Sequence, residues 1–149
     1  IRKNEEVLVS AVTQAAFIPM LMDSAGNAGF QSATLIIRGL ALDEIKLHDI
    51  LKVIWKEFRV SLIVGVILSA VNFAKIYFID KAGVLIALTV SLSLSITIIL
   101  AKIVGGSLPI IAKKLGLDPA IMAGPLITTI VDAVALLTYF YLASWLLGI

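Results

Sequence analysis

The sequence predicts an all-α membrane protein with four transmembrane helices and one amphipathic interfacial helix. Sixty per cent of the 149 residues are hydrophobic, whereas a soluble domain runs at about 45–50% even with glycine counted. Mean hydropathy is +1.09, more apolar surface than one core of this size can hide from water. The apolar residues also gather into runs long enough to cross a bilayer, for which roughly 20 residues are needed. Other classes fall away on composition. There is no cysteine, so disulfides and thiolate metal sites are excluded. A single histidine, His48, argues against a His-rich transition-metal site. The formal charge is only +2, and the basic residues flank apolar segments instead of forming a stripe, so no nucleic-acid partner is expected.

Segment A covers residues 7–22 and continues, after a break, over 32–42. Residues 43–58 follow as the amphipathic piece. Leu47, Ile50, Leu51, Ile54, Trp55 and Phe58 recur at helical spacing, while Lys46, Asp49, Lys52, Lys56 and Glu57 take the other faces. Such a pattern predicts a helix lying at the membrane surface, with Asp43 as its N-cap and His48 on its exposed side. Segment B covers residues 60–79, segment C residues 84–112, and segment D residues 119–147, opened by the cap-and-proline pair Asp118-Pro119. In segment C, Gly105, Gly106 and Pro109 allow close helix approach or a bend.

Lys and Arg positions set the orientation. With segment A running inward, seven basic residues (Arg38, Lys46, Lys52, Lys56, Arg59, Lys113 and Lys114) face the cytoplasm and four (Arg2, Lys3, Lys75 and Lys81) face outside. Both ends of the chain then lie outside. The chain opens on Ile1, and an earlier spanning segment is expected before it. Tyr139, Tyr141 and Trp145 fit an aromatic belt at the outer surface. With no linker, low-complexity tract or repeat, residues 1–149 read as one domain.

The informative residues of a membrane protein are those that cost free energy. An Asp at the centre of a spanning helix costs about 2.5–3.5 kcal/mol on insertion scales. Asp132 is such a residue; counted from Pro119 at ~1.5 Å per residue, it lies ~20 Å into segment D. Gly124 and Thr128 precede it on the same face, with Thr129 beside them. This stripe can line a water-filled path, where a carboxylate attracts a divalent cation or accepts hydrogen bonds from the waters around it. The second mode suits Mg²⁺, which sheds water reluctantly. Two other readings satisfy the same observation: interhelical glue bonded to a neighbour such as Asn72, and a proton relay with Asp23 as its second member.

A second unusual stretch runs from Pro19 to Ser32. Proline and the glycines around Asn27 weaken a helix, which predicts either a broken helix at membrane depth or a capped surface loop. A break at depth would free carbonyls for a cation alongside Asp23, Asn27 and Gln31, all oxygen-bearing groups that suit a hard ion. Lys102 stands alone in segment C. It must snorkel to water or pair with a carboxylate away from the path.

The run PMLMDSAGNAGFQSATLIIRGLA, residues 19–41, resembles the signature of MgtE-type magnesium transporters, which have eukaryotic solute-carrier relatives. The run LGLDPAIMAGPLITTIVDAVALLTYF, residues 115–140, is similar to that family's last transmembrane helix. The resemblance covers essentially the whole chain and implies the last four of five transmembrane helices. It further implies a multi-pass protein of the plasma (inner) membrane and a homodimer with its ion path between subunits, built by the first and last helices present. The family's acidic ion-site residue falls on Asp132; Gly26, Asn27 and Gly29 fall on its glycine-asparagine motif, and Gly124 and Thr128 on the pore-facing stripe. The chain departs from the pattern at Gly124 and Ala135, where the family often has Asn and Gly, and at Lys102, where a neutral residue is expected.

The implied activity is passage of hydrated Mg²⁺ down its electrochemical gradient into the cytoplasm, with Mg²⁺ as cargo, no organic cofactor and no enzymatic step. Thr129 joins the pore-lining set, and Asp23 and Gln31 form a secondary one. The alternatives are a Na⁺- or H⁺-coupled divalent-cation exchanger and a helical assembly subunit without a path of its own.

Overall fold

The structure, a computed structural model, describes residues 12–148. Regular structure among them is helical throughout: α1 (Ile18–Ala41), a 3-10 turn (Leu47–Asp49), α2 (Ile50–Ala74) with a π-helical extension (Lys75–Ile79), α3 (Val84–Lys114), a second 3-10 turn (Pro119–Met122) and α4 (Pro125–Leu147). Among the described residues, three helical stretches are long and apolar enough to cross a membrane: Leu47–Ile79, Val84–Lys114 and Pro125–Leu147. Helix α1 has 24 residues, but Asp23, Asn27, Gln31 and Arg38 make it more polar than the others.

The α1 backbone overturns the break expected between Pro19 and Ser32, since the helix runs unbroken through that stretch. Pro19 sits in the first turn, where its missing N–H leaves no bond unmade. The break lies earlier, at residues 16–17, between a helical turn at 12–15 and α1. Gly26 and Gly29 are buried; close packing outweighs their poor helix propensity. The expected surface helix is not a separate element either. Residues 50–58 continue straight into the rest of α2. Asp43 is a loop residue with φ 56°, and the turn before α2 is held instead by the Lys46 N–H donating to Asp49 Oδ2 at 2.9 Å. His48 is exposed, as expected.

Helix α3 is the centre of the bundle, in contact with α1, α2 and α4, while α1 also packs on α4. The core uses small side chains where helices cross: Ala25 and Ala28 of α1, Ala87 and Ala101 of α3 and Ala135 of α4, filled in by Leu21, Val90, Ile98, Ile127 and Val131. With lipid outside, hydrophobicity does not drive helices together, so close van der Waals contact and interhelical hydrogen bonds must. The closest approach is between α1 and α3. A Cβ added at Gly105 would run into the backbone of Gly29, and one at Gly29 would meet Val131 Cγ2 at 2.7 Å. Tyr139 is not a belt residue. It is 2% exposed and donates its hydroxyl to the Gln14 carbonyl oxygen at 2.8 Å. Tyr141 and Trp145 do face outward.

Helix α3 ends in a Schellman arrangement. Leu117 N–H donates to Ala112 O at 2.9 Å and Gly116 N–H to Lys113 O at 3.1 Å, with Gly116 at φ 79°, a conformation that favours glycine. Asp118 is a cap as expected, accepting from Ala120 N–H at 3.0 Å, but it caps the 3-10 turn and not the long helix. Segment D therefore starts later than its sequence suggests. Gly124, at φ 72° and ψ −133°, turns the chain, and α4 begins at Pro125. Asp132 is seven residues into α4, ~10 Å by helical rise, half the depth counted from Pro119.

Candidate ion-binding site

Where α1 crosses α4, five polar or small groups meet around a half-open cavity of about 190 Å³, lined by Met22, Asp23, Gly26, Asn27, Thr128 and Asp132. Gly26 faces α4's carboxylate: a Cβ on it would lie 3.5 Å from Asp132 Oδ1 and 3.8 Å from Thr128 Cγ2, in ordinary contact with both. One turn earlier on α1, Asp23 accepts a 3.3 Å hydrogen bond from Asn27 Nδ2. Thr128 turns its hydroxyl back to the Pro125 carbonyl oxygen at 3.0 Å, which leaves its oxygen free only as an acceptor toward the cavity.

Asp132 has no hydrogen-bond or ion-pair partner among the described residues. Asn72 is buried in α2, and its Nδ2 also has none, so the two do not serve each other as glue. Two carboxylates facing one cavity repel, and a cation, water or a proton on one of them relieves that repulsion. Among the described residues no three His, Cys, Asp or Glu side chains converge. Two carboxylates, an amide and a hydroxyl are the polar groups that this cavity offers an ion. The cavity is roomy enough: six waters at about 30 Å³ of liquid volume each come to roughly 180 Å³.

The other sequence-derived candidates lie apart from this cavity. Gly29 is spent on helix packing. Gly124 is the turn before α4. Thr129 is exposed, its hydroxyl donating to the Pro125 carbonyl oxygen at 2.8 Å. Gln31 lines a second cavity, about 400 Å³, that shares Asp23 and Asn27 with the first and extends to Lys102. A larger cavity of about 800 Å³ between α3 and α4 is walled by Ile96, Leu100, Leu137 and Phe140 among others and offers an ion almost nothing.

Lys102 is paired with a carboxylate, but its side chain also borders the cavity that holds Asp23 and Asn27. Its Nζ lies 3.7 Å from Glu57 Oε2 of α2 and donates to Ser32 Oγ of α1 at 3.3 Å. Ser32 in turn donates to the same Glu57 oxygen at 2.5 Å. Glu57 is 3% exposed and Lys102 6%. Periodicity had assigned Glu57 to a polar outer face, so this partner was missed; the depth of Lys102 was the one signal that a carboxylate must be near.

A model of the MgtE family, described as divalent cation transporters, matches residues 18–142. The magnesium transporter MgtE of Bacillus subtilis (strain 168) is 40% identical over 140 residues, 94% of this chain and 31% of the relative. That of Thermus thermophilus is 39% identical over 143 residues, 96% of this chain and 31% of the relative. That of Enterococcus faecalis is 32% identical over 142 residues, 95% of this chain and 31% of the relative. The chain thus spans about a third of the length of these relatives, and nearly all of it takes part in each match. On that coverage, it belongs to the MgtE family of divalent cation transporters.

Proposed function

We propose that this chain forms the membrane-spanning, ion-conducting part of a magnesium transporter. Four helices, α1 included, cross the bilayer, and hydrated Mg²⁺ passes into the cytoplasm along a path bounded by α1 and α4. The observation that carries the reading is Asp132, a carboxylate in a spanning helix with no partner among the described residues, facing a cavity sized for a hydrated ion. The magnesium transporters among the relatives support it. Asp132 attracts the ion and accepts hydrogen bonds from its waters, Asn27 fixes Asp23 beside it, and Gly26 keeps the wall thin.

The open side of the cavity is closed by the same surface of a second copy. A homodimer would double the carboxylates and make an outer-sphere cage without a metal-chelating cluster in either chain. A bound carboxylate–water–ion contact is worth most where bulk water is scarce. Conduction then depends on the ion leaving as readily as it enters, which a hydrated ion held only through its waters can do.

Reconstitution of the full-length protein in liposomes loaded with a Mg²⁺-sensitive dye tests the proposal. Asp132→Asn keeps the shape and removes the charge; Mg²⁺ influx should fall at least tenfold at equal protein density. Influx at the unsubstituted rate would refute the site. Current driven by voltage alone, with no counter-ion gradient, is expected of a channel and not of a coupled exchanger.

A further inference from the structure

We infer that Glu57 is a charge-compensating residue of the ion path, cancelling the positive charge that Lys102 brings to the cavity that Asp23 also lines. The inference rests on the Asp132 reading above and adds to it a residue on α2, a helix that does not line the Asp132 cavity.

Three observations lead there. The Lys102 side chain borders the 400 Å³ cavity that also contains Asp23, Asn27 and Gln31; its ammonium, bonded to Ser32, stands roughly 13 Å along α1 from Asp23, so an ion drawn to Asp23 meets its field across that cavity. Glu57 does not border that cavity; it stands behind Lys102, with Oε2 3.7 Å from Nζ and bridged to it through Ser32. Space for Glu57 is made by Gly106, where an added Cβ would come within 3.0 Å of Glu57 Cγ. Adjacent glycines of α3 thus have separate tasks, Gly105 admitting α1 and Gly106 admitting the carboxylate.

An unpaired ammonium in a site where water is scarce is weakly screened, and its repulsion of a mobile ion grows in proportion to that ion's charge. With the Glu57 carboxylate behind it, Lys102 presents a pair of no net charge, and the field in the path is left to Asp23 and Asp132. Glu57 touches no ion. It acts through Lys102, as a positioning residue acts through the group it holds.

Valence dependence separates this role from simple structural support. The full-length protein in liposomes is assayed for the Mg²⁺ concentration giving half-maximal influx and for block by hexaamminecobalt(III), a trivalent complex that keeps its ligand shell. Glu57→Gln, which retains the shape and the acceptor for Ser32, should raise the Mg²⁺ half-saturation about tenfold. The same repulsion acting on three charges should weaken the block about thirtyfold. The double variant Glu57→Gln/Lys102→Met should bring both within about threefold of the unsubstituted protein, because no net charge has then been added. Equal shifts for the two ions, or a double variant as weak as Glu57→Gln, would overturn the inference. Should Glu57→Gln fail to fold, the double variant decides alone: a Mg²⁺ half-saturation tenfold or more above the unsubstituted value rejects compensation. Asp132→Asn run in parallel tells the failures apart. Normal influx in that variant removes the path itself and the pair's role with it, whereas lost influx beside a weak double variant removes only the role of Glu57.

Discussion

Two polar clusters sit inside this bundle, and they handle charge in opposite ways. Glu57, Lys102 and Ser32 join α2, α3 and α1 in a closed set: opposite charges, a bridging hydroxyl and almost no exposure. Asp23, Asn27 and Asp132 join α1 to α4 in an open set, with like charges, one long hydrogen bond and a carboxylate lacking any partner among the described residues. Charge is costly in a buried core and in a spanning helix alike. The first cluster offsets that cost within the protein. The second leaves it to be offset by something from outside, and such an uncompensated site is where function is to be sought. Breaking the two clusters should therefore have opposite consequences for stability.

The largest expected effect is on the closed cluster. Glu57→Leu strands a buried ammonium, and loss of one partner of a buried pair costs about 3–5 kcal/mol. Thermal unfolding in detergent should show a much lower midpoint, and Glu57→Leu/Lys102→Met should recover most of it. If the single variant is as stable as the parent, Glu57 and Lys102 do not depend on each other as a buried pair.

Next comes the crossing that holds both clusters in register. Gly105→Ala drives a Cβ into the Gly29 backbone, and overpacking of this kind typically costs about 1–3 kcal/mol. Because Gly29 lies one turn from Gly26 on α1, transport should fall together with stability. Asp132→Asn should separate the two. Removing an unpaired charge from a spanning helix stabilises it or leaves it within about 1 kcal/mol, even as Mg²⁺ influx drops.

The open cluster was largely legible in the sequence, and the closed one was not. Asp132 declared itself by being an acid in an apolar run, and the pairing of α1 with α4 came from the resemblance of two motifs. Lys102 was equally conspicuous, yet its partner was hidden: Glu57 looks like one more charge on an amphipathic surface helix until α2 is seen to be a single rod. Periodicity could not show that, because a surface helix and the first turns of a long span have the same pattern. The reverse error befell α1. Pro19 and the glycines near Asn27 are helix breakers by local propensity, but Pro19 falls in a first turn and the glycines meet Val131, Gly105 and Asp132. Those partners are distant in sequence, and tertiary packing overrode propensity. The start of α4 was misplaced for a related reason: Asp118-Pro119 is a true cap, but Gly124 interrupts the helix it was thought to open.

The finest probe of the comparison is Gly26→Ala. The added Cβ would meet Asp132 Oδ1 at 3.5 Å and Thr128 Cγ2 at 3.8 Å, both ordinary contacts, so nothing has to move. Alanine is the better helix former by about 1 kcal/mol, and the variant should unfold at the same temperature or slightly above. Its one penalty falls on the open cluster, where a methyl group takes the place of water against the carboxylate that the ion's hydration shell would otherwise reach. Mg²⁺ influx should fall several-fold while Gly29→Ala, aimed at the packed side of the same helix, lowers stability first. A Gly26→Ala protein that is destabilised yet transports normally per folded molecule would mean that this crossing is packing and that the ion runs elsewhere.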